Sequence, residues 1–280
     1  MSKTILITGA SSGIGKAAAL HFAAHGWNVV ATMRSPEKET DLAGLENMLV
    51  TRLDVQSPET IDASIAAGIA RFGAIDAVVN NAGYGQYGVF EAITPEQVQT
   101  QFDVNVFGVM NTIRAILPHF RERGEGMIIN ISSGAGRFTL PLISLYNASK
   151  FALEGFSEAL SFELAALNIT VKIVEPGGTT TNFIKTSEER FSAKPLPEYD
   201  AFLGAAFKMF DNLKGMQLAT AEQVAETIYQ AATDGTDTLR YLIGNEDFKR
   251  RVENRLSLPD QTYIESIKAA YLPFMGGKGG

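Results

Sequence analysis

Lys3-Thr4-Ile5-Leu6-Ile7-Thr8-Gly9-Ala10-Ser11-Ser12-Gly13-Ile14-Gly15 reads as a strand, a glycine-rich loop and the approach to a helix. Lys3 to Thr8 is a short apolar run ending in Gly9, the pattern of a strand buried on both faces. Lys16 to about His25 is helical and is closed by Gly26. A helix that starts directly after a parallel strand points its free N–H groups and positive dipole end at one spot, which makes an anion site. Glycines let the backbone approach a pyrophosphate and take turns that a Cβ would forbid. The spacing is Gly-x-x-x-Gly-x-Gly, a departure from the commoner Gly-x-Gly-x-x-Gly. A plain strand-to-helix turn is the ordinary alternative, but in this setting the stretch points to dinucleotide binding.

The alternation continues outward. Asn28 to Thr32, Met48 to Leu53, Ala77 to Asn80, Met127 to Ile131, Thr170 to Val174 and Leu239 to Ile243 read as further short strands. Pro58 to Phe72 reads as a helix with Ser57 as N-cap and Pro58 at its first position. Thr94-Pro95-Glu96-Gln97 is a capping box opening a long helix to about Phe120, and Thr220 to Gln223 is a second, opening a helix to about Thr233. Tyr146 to about Leu167 is a further helix. Strands alternating with helices predict an α/β, doubly wound Rossmann fold: a seven-stranded parallel sheet with helices on both faces. No linker interrupts residues 1–280, so one domain is expected. Two segments stand outside the alternation. Residues 183–216, rich in Phe183, Phe191, Tyr199, Phe202, Phe207 and Phe210, read as an irregular or short-helical lid over the substrate. Residues 246–280 read as an extension with one charged helix and a frayed end at Gly276 to Gly280.

Of the 280 residues, 45% are apolar and 20% charged, which fits a globular protein with a full core. A net charge of -7 with no basic run gives no reason to expect nucleic acid. The absence of cysteine excludes disulfides, thiolate metal sites and cysteine nucleophiles. His21, His25 and His119 lack ligand spacing, so no metal is expected. No apolar run reaches membrane-spanning length, and the first residues leave no room for a signal peptide, which together suggest a cytoplasmic protein.

Tyr146 and Lys150, in Tyr146-Asn147-Ala148-Ser149-Lys150, are four residues apart and project from one helix face. An ammonium close to a phenol favours the phenolate, lowering a pKa that is about 10 when unperturbed. That would let Tyr146 exchange a proton near neutral pH, although such pairs also arise by chance on amphipathic helices.

Further short motifs stand in order around this pair: the loop Thr8 to Gly15, Asp54-Val55, Asn80-Asn81-Ala82-Gly83, Asn105, Ser133 placed thirteen residues before Tyr146, and Pro176-Gly177 followed by Thr179 and Thr181. From about Lys3 to Ile243 the chain resembles the short-chain dehydrogenase/reductase family in its single-domain branch. The resemblance implies hydride transfer between a nicotinamide cofactor and a carbonyl or alcohol carbon. Tyr146 would be the general acid/base, Ser133 would donate to the same oxygen, and Lys150 would lower the Tyr146 pKa and hold the nicotinamide ribose. Asn105 would anchor a relay water. Gly9, Ser11, Ser12, Gly13, Ile14 and Gly15 would cradle the cofactor. Asp54 and Val55 would meet the adenine, Asn81, Ala82 and Gly83 would bind the cofactor while bracing the sheet, Tyr146 would join Lys150 in binding the cofactor, and Pro176, Gly177, Thr179 and Thr181 would hold the nicotinamide end. Each has a plainer rival. Ser133 could cap a turn, Asn105 could bond local backbone, Asp54 could be a turn aspartate, and the Asn80-Asn81 pair could only brace backbone.

An acidic residue at the end of the second strand accepts the ribose 2′-hydroxyl of NAD in such folds. Here Ala31-Thr32-Met33-Arg34-Ser35 puts Met33 in that place, and Arg34 offers a donor fork suited to a 2′-phosphate. NADP(H) is therefore favoured over NAD(H), although Arg34 could instead cap a helix opening at Ser35-Pro36. Tyr87, Phe90, Phe138, Leu140, Leu142 and the lid aromatics suggest an apolar carbonyl or alcohol substrate, ketosteroid-like, retinal-like or an aryl ketone. They could equally pack the lid and leave a small pocket. A non-catalytic nucleotide sensor on the same fold is the rival function; a nucleotide-sugar epimerase would call for a different glycine spacing. The resemblance also implies a homodimer or homotetramer.

Overall fold

The computed structural model describes residues 2–191, 194–214 and 218–275. Met216 and the expected frayed end 276–280 lie outside the described residues. β1 (Thr4–Thr8) is buried at every residue, as its Ile-Leu-Ile centre requires. It lies between β2 (Asn28–Met33) and β4 (Ala77–Asn80), with β3 (Met48–Arg52) beyond β2. β5 (Gly126–Ile131), β6 (Ile169–Pro176) and β9 (Arg240–Ile243) complete the other side. The order is β3-β2-β1-β4-β5-β6-β9, every neighbouring pair parallel, so the strand direction of growth reverses between β1 and β4. That reversal opens a crevice beyond the carboxyl ends of the two strands, where ligands bind in open α/β sheets.

On one face α1 (Gly13–Ala24) packs against α8 (Ala221–Thr233), with Ala18, Ala19 and Phe22 in the core between them. On the other lie α2 (Pro58–Phe72), α3 (Pro95–Phe102), α4 (Gly108–Arg123) and α5 (Ser144–Ala165), over Leu6, Val30, Val78, Ile128 and Val171. Both capping boxes form as the sequence predicts: Thr94 and Thr220 each accept from the N–H three residues on, and Gln97 and Gln223 return the bond.

Five expectations need correction. α1 starts at Gly13, not Lys16, because the end of the glycine loop supplies the first turn. Ser57 stands at the N-cap of α2, yet its hydroxyl donates to Glu59 and caps no N–H. The long helix after Thr94 is broken by a π-turn at Asp103–Phe107, which divides α3 from α4. The lid holds two helices, α6 (Phe183–Glu189) and α7 (Asp200–Lys214), and a small parallel ladder of β7 (Thr179–Thr180) with β8 (Ala219–Thr220) joins the chain on either side of it. The lid is therefore more regular than its aromatic-rich sequence suggested. Beyond β9 there are two helices, α9 (Glu246–Ser257) and α10 (Asp260–Tyr271), parted at Leu258-Pro259, where the proline ends any continuous helix. No helix among the described residues is long and apolar enough to cross a membrane.

Candidate active site at the carboxyl ends of the sheet

The glycine loop is built by backbone necessity. Gly9 and Gly13 have φ of 70° and 54°, where a side chain is strained. Gly15 is a packing requirement: a Cβ there would overlap Gly9 O and stand 2.5 Å from Asn81 Nδ2. Asn81 explains the closeness, since its Nδ2 donates to Thr8 O at 3.0 Å and to Gly9 O at 3.1 Å. Thr8 Oγ1 in turn accepts from the N–H groups of Asn81 and Ala82, both at 3.0 Å. The segment 80–83 is thus a brace on the loop, and Asn81 has its amide donors engaged on backbone. Asn80 Nδ2 donates to Asn130 Oδ1 at 2.8 Å inside the sheet. Thr8 was the residue missed in this unit, for nothing in its local sequence announces a bond across 73 residues.

The amino end of α1 carries no acidic residue in its first turn, and Ser11 and Ser12 are exposed beside it. Thr181 lies opposite, its Cβ 3.4 Å from where a Cβ of Gly13 would be. Pro176 ends β6, and Gly177 N donates to Ile243 O at 2.8 Å while Thr179 Oγ1 donates to Gly177 O at 3.1 Å. The approach of Thr181 to Gly13 sets 176–181 beside the glycine loop and the amino end of α1, where the free N–H groups of a helix start can bind an anion. Arg34 is exposed just past β2, with buried Met33 before it. A 3-10 turn, Pro36–Lys38, follows in place of a helix, and it takes no side-chain cap, so Arg34 is not a helix cap. Asp54 Oδ1 accepts from Gln56 N at 3.1 Å, a turn-forming bond, and Val55 is buried next to Gly108.

Tyr146 and Lys150 lie one turn apart on α5 and both are buried. Lys150 Nζ donates to Ile131 O at 2.8 Å and sits 5.8 Å from the centroid of the Tyr146 ring. Burial lowers its pKa from 10.5 to about 8, opposed by the nearby charge of Glu154. Ser133 stands beside the group: its Oγ accepts from Ala135 N at 3.1 Å, and its hydroxyl pulls the Tyr146 pKa down. Burial pushes the Tyr146 pKa up, Tyr87 adds to the rise, and only the Ser133 bond pulls it down. The expected lysine-depressed phenol is therefore corrected. In this arrangement desolvation governs Tyr146, and the lysine ammonium is committed to a carbonyl. Tyr87 and Phe183 flank the ring at 6.2 and 5.5 Å between centroids, with Leu140, Ile143 and Phe210 in the same cluster. Phe183 and Phe210 come from α6 and α7, which the sequence alone could not aim at Tyr146.

Asn105 sits in the π-turn, a distortion that recurs at functional sites. Its Oδ1 accepts from Tyr84 N at 3.1 Å, and its Nδ2 donates to Tyr84 O at 2.8 Å and to Ser149 Oγ at 3.2 Å. The side chain thus ties 83–84 to α5 and does not reach Lys150 itself. Asn147, another missed residue, donates to Ala135 O at 2.7 Å and Phe138 O at 2.9 Å, fixing the Ser133 loop to the helix of Tyr146.

This sheet order and glycine loop go with a family-model match: residues 3–191 match the short chain dehydrogenase model, and the chain belongs to that family. An uncharacterized oxidoreductase of Schizosaccharomyces pombe is 44% identical over 214 residues, covering 76% of this chain and 89% of the relative. A 3-ketodihydrosphingosine reductase of Bacteroides thetaiotaomicron is 42% identical over 179 residues, 64% of this chain and 65% of the relative. Among solved structures, a short-chain dehydrogenase from Streptomyces avermitilis superposes with a TM-score of 0.78 at 34% identity, over 98% of this chain and 97% of its own. ElxO with NADP bound gives 0.71 at 28%, over 86% and 98%. The 3-ketoacyl-(acyl-carrier-protein) reductase of Brucella melitensis complexed with NADH gives 0.69 at 28%, over 86% and 96%. The protein is a nicotinamide-dependent oxidoreductase of the short-chain dehydrogenase type.

Proposed function

We propose that the protein is an NADPH-preferring reductase of an apolar ketone or aldehyde, with Tyr146 as proton donor. The observation that carries this is the setting of Tyr146: a buried phenol whose pKa Ser133 pulls down, walled by Tyr87, Leu140, Ile143, Phe183 and Phe210. The bound cofactor would supply the hydride. Tyr146 gives its proton to the developing alkoxide, and Ser133 donates a hydrogen bond to the same oxygen. A phenol whose pKa burial has raised stays protonated through neutral pH, as a proton donor must be.

The glycine loop 9–15 would hold the pyrophosphate at the amino end of α1, and Arg34 the 2′-phosphate. Asp54 and Val55 would receive the adenine. Asn81, Ala82 and Gly83 hold the loop in shape. Lys150 and Tyr146 would take the nicotinamide ribose, and Pro176, Gly177, Thr179 and Thr181 the nicotinamide end. Asn105 fixes the backbone beside Lys150, where a relay water would sit. A relative named for reducing 3-ketodihydrosphingosine lends support to an apolar ketone, and neighbours that hold NADP or NADH leave the preference to Arg34 and Met33. We further take 1–280 as one cytoplasmic catalytic unit, with 183–216 as its lid, that pairs as a homodimer or homotetramer. Phe107, Phe151 and Phe162, exposed by 47, 40 and 73% on the helices from α3 to α5, would be covered in such a pair.

The direct test is consumption of NADPH, with NADH alongside, over a series of long-chain, steroid-like and aryl ketones set against small hydrophilic aldehydes. Faster turnover of the apolar ketones with NADPH is expected. Turnover confined to hydrophilic aldehydes would remove the substrate assignment, and tight NADPH binding with no turnover anywhere would favour a sensor.

A further inference from the structure

Phe248, near the start of α9, fills a pocket whose walls are three glycine backbones at the carboxyl ends of three strands. Gly134 follows Ser133 after β5, Gly177 follows Pro176 at the end of β6, and Gly244 follows β9. A Cβ at Gly177 would stand 2.9 Å from Phe248 Cγ, and one at Gly134 or Gly244 would overlap the ring outright. The ring thus lies directly against the two segments that present Ser133 and the Pro176 turn, which themselves meet where Ser133 Oγ approaches Pro176 O at 3.5 Å. Phe138, from the loop after Ser133, packs on the same ring at 6.0 Å between centroids.

A second grip comes from α10. Tyr263 is buried in the cluster with Phe138, Phe248 and Val252, and its hydroxyl brackets one residue of that same loop. It accepts from Thr139 N and donates to Thr139 O, both at 3.0 Å and 124 residues apart in sequence. Farther along, Tyr271 stacks edge-on against Phe202 of the lid helix α7 at 5.6 Å. The segment 133–143 has no regular element beyond one 3-10 turn, so its placement rests on side chains from outside it, with Asn147 of α5 holding one side.

We propose that Phe248 and Tyr263 are positioning residues: the C-terminal helices set the Ser133 loop and the Pro176–Gly177 turn against each other, so the extension is part of the active site. This rests on the reductase function proposed above. Neither residue touches the reacting atoms. Both act through the placement of Ser133 and of the turn beside the nicotinamide end. A misplacement of about 1 Å at such a site can lower the rate a hundredfold.

The test combines two single substitutions with a compensation. Tyr263→Phe removes only the bracket on Thr139. It is expected to keep the thermal midpoint close to that of the wild type, speed amide exchange within 134–143, and lower kcat about tenfold with little change in substrate KM. Phe248→Leu is expected to loosen both segments, lowering kcat and weakening NADPH binding read by cofactor fluorescence. Gly134→Ala should nearly abolish turnover, and Phe248→Ala should partly rescue it, because the smaller side chain makes room for the new methyl. Unchanged exchange, kcat and NADPH affinity in Tyr263→Phe and Phe248→Leu would overturn the proposal, as would a Gly134→Ala/Phe248→Ala protein less active than Gly134→Ala alone. If the wild type binds NADPH but reduces nothing, the reductase function fails, and the exchange and affinity measurements still decide the positioning role.

Discussion

Lys150 is a cation held indoors, and its bond to Ile131 O does not fully offset the loss of water. Its pKa is about 8 folded against 10.5 free, so between those values the unfolded chain binds more protons and stability rises with pH. The penalty is present in full below about pH 8 and relieved toward pH 10.5, and a depression of this size corresponds to about 3 kcal/mol. Denaturant midpoints of Lys150→Met and wild type should therefore draw together as pH rises from 8; a constant gap would mean the lysine is not so depressed. Arg34 belongs to the same scale. Arg34→Ala should raise the KM for NADPH about tenfold or more and leave NADH nearly unchanged, and an equal effect on both would remove the phosphate clamp. The Tyr146–Lys150 spacing could be read from sequence because helical period alone puts the two on one face. The direction of the Tyr146 pKa could not, since it depends on Tyr87 and Phe183, neither of them a neighbour in the chain.

At the scale of elements, local signals were legible and imported ones were not. Thr94 and Thr220 announce their helices because a capping box closes within four residues. The π-turn at Asp103–Phe107 has no such local mark; its Asn105 is turned toward Tyr84 and Ser149, partners from other parts of the chain. In α7, Phe202, Leu203, Ala206 and Phe210 follow helical spacing, but the aromatic richness of the segment masked the period. The join of loop and helix around Gly15 yields a stability prediction. Gly15→Ala drives a methyl into Gly9 O and Asn81 Nδ2, backbone and a committed amide that cannot step aside. A loss of about 2 kcal/mol or more in unfolding free energy, read by denaturant titration, is expected, together with weaker cofactor binding. Full stability in that variant would show the loop to be more yielding than its geometry.

Across the whole molecule, the parallel order with its reversal between β1 and β4 follows from strand–helix alternation and right-handed crossovers, which is why the architecture could be drawn from sequence. The small β7–β8 ladder and the reach of α9 and α10 could not, because they depend on contacts between segments 40 to 124 residues apart. The apolar face at Phe107, Phe151 and Phe162 bears on assembly. Phe162→Asp should shift the mass in solution toward the monomer while leaving NADPH binding in place, read by light scattering; an unaltered mass would put the pairing surface elsewhere.

The measurement closest to the central claim is turnover by Tyr146→Phe with its NADPH affinity determined in parallel. With the phenol as the proposed proton donor, removing one oxygen should keep the cofactor bound and reduce kcat for the best ketone by about a hundredfold or more. A variant that binds NADPH and still turns over at the wild-type rate would contradict the assignment of Tyr146, and with it the mechanism built on that residue.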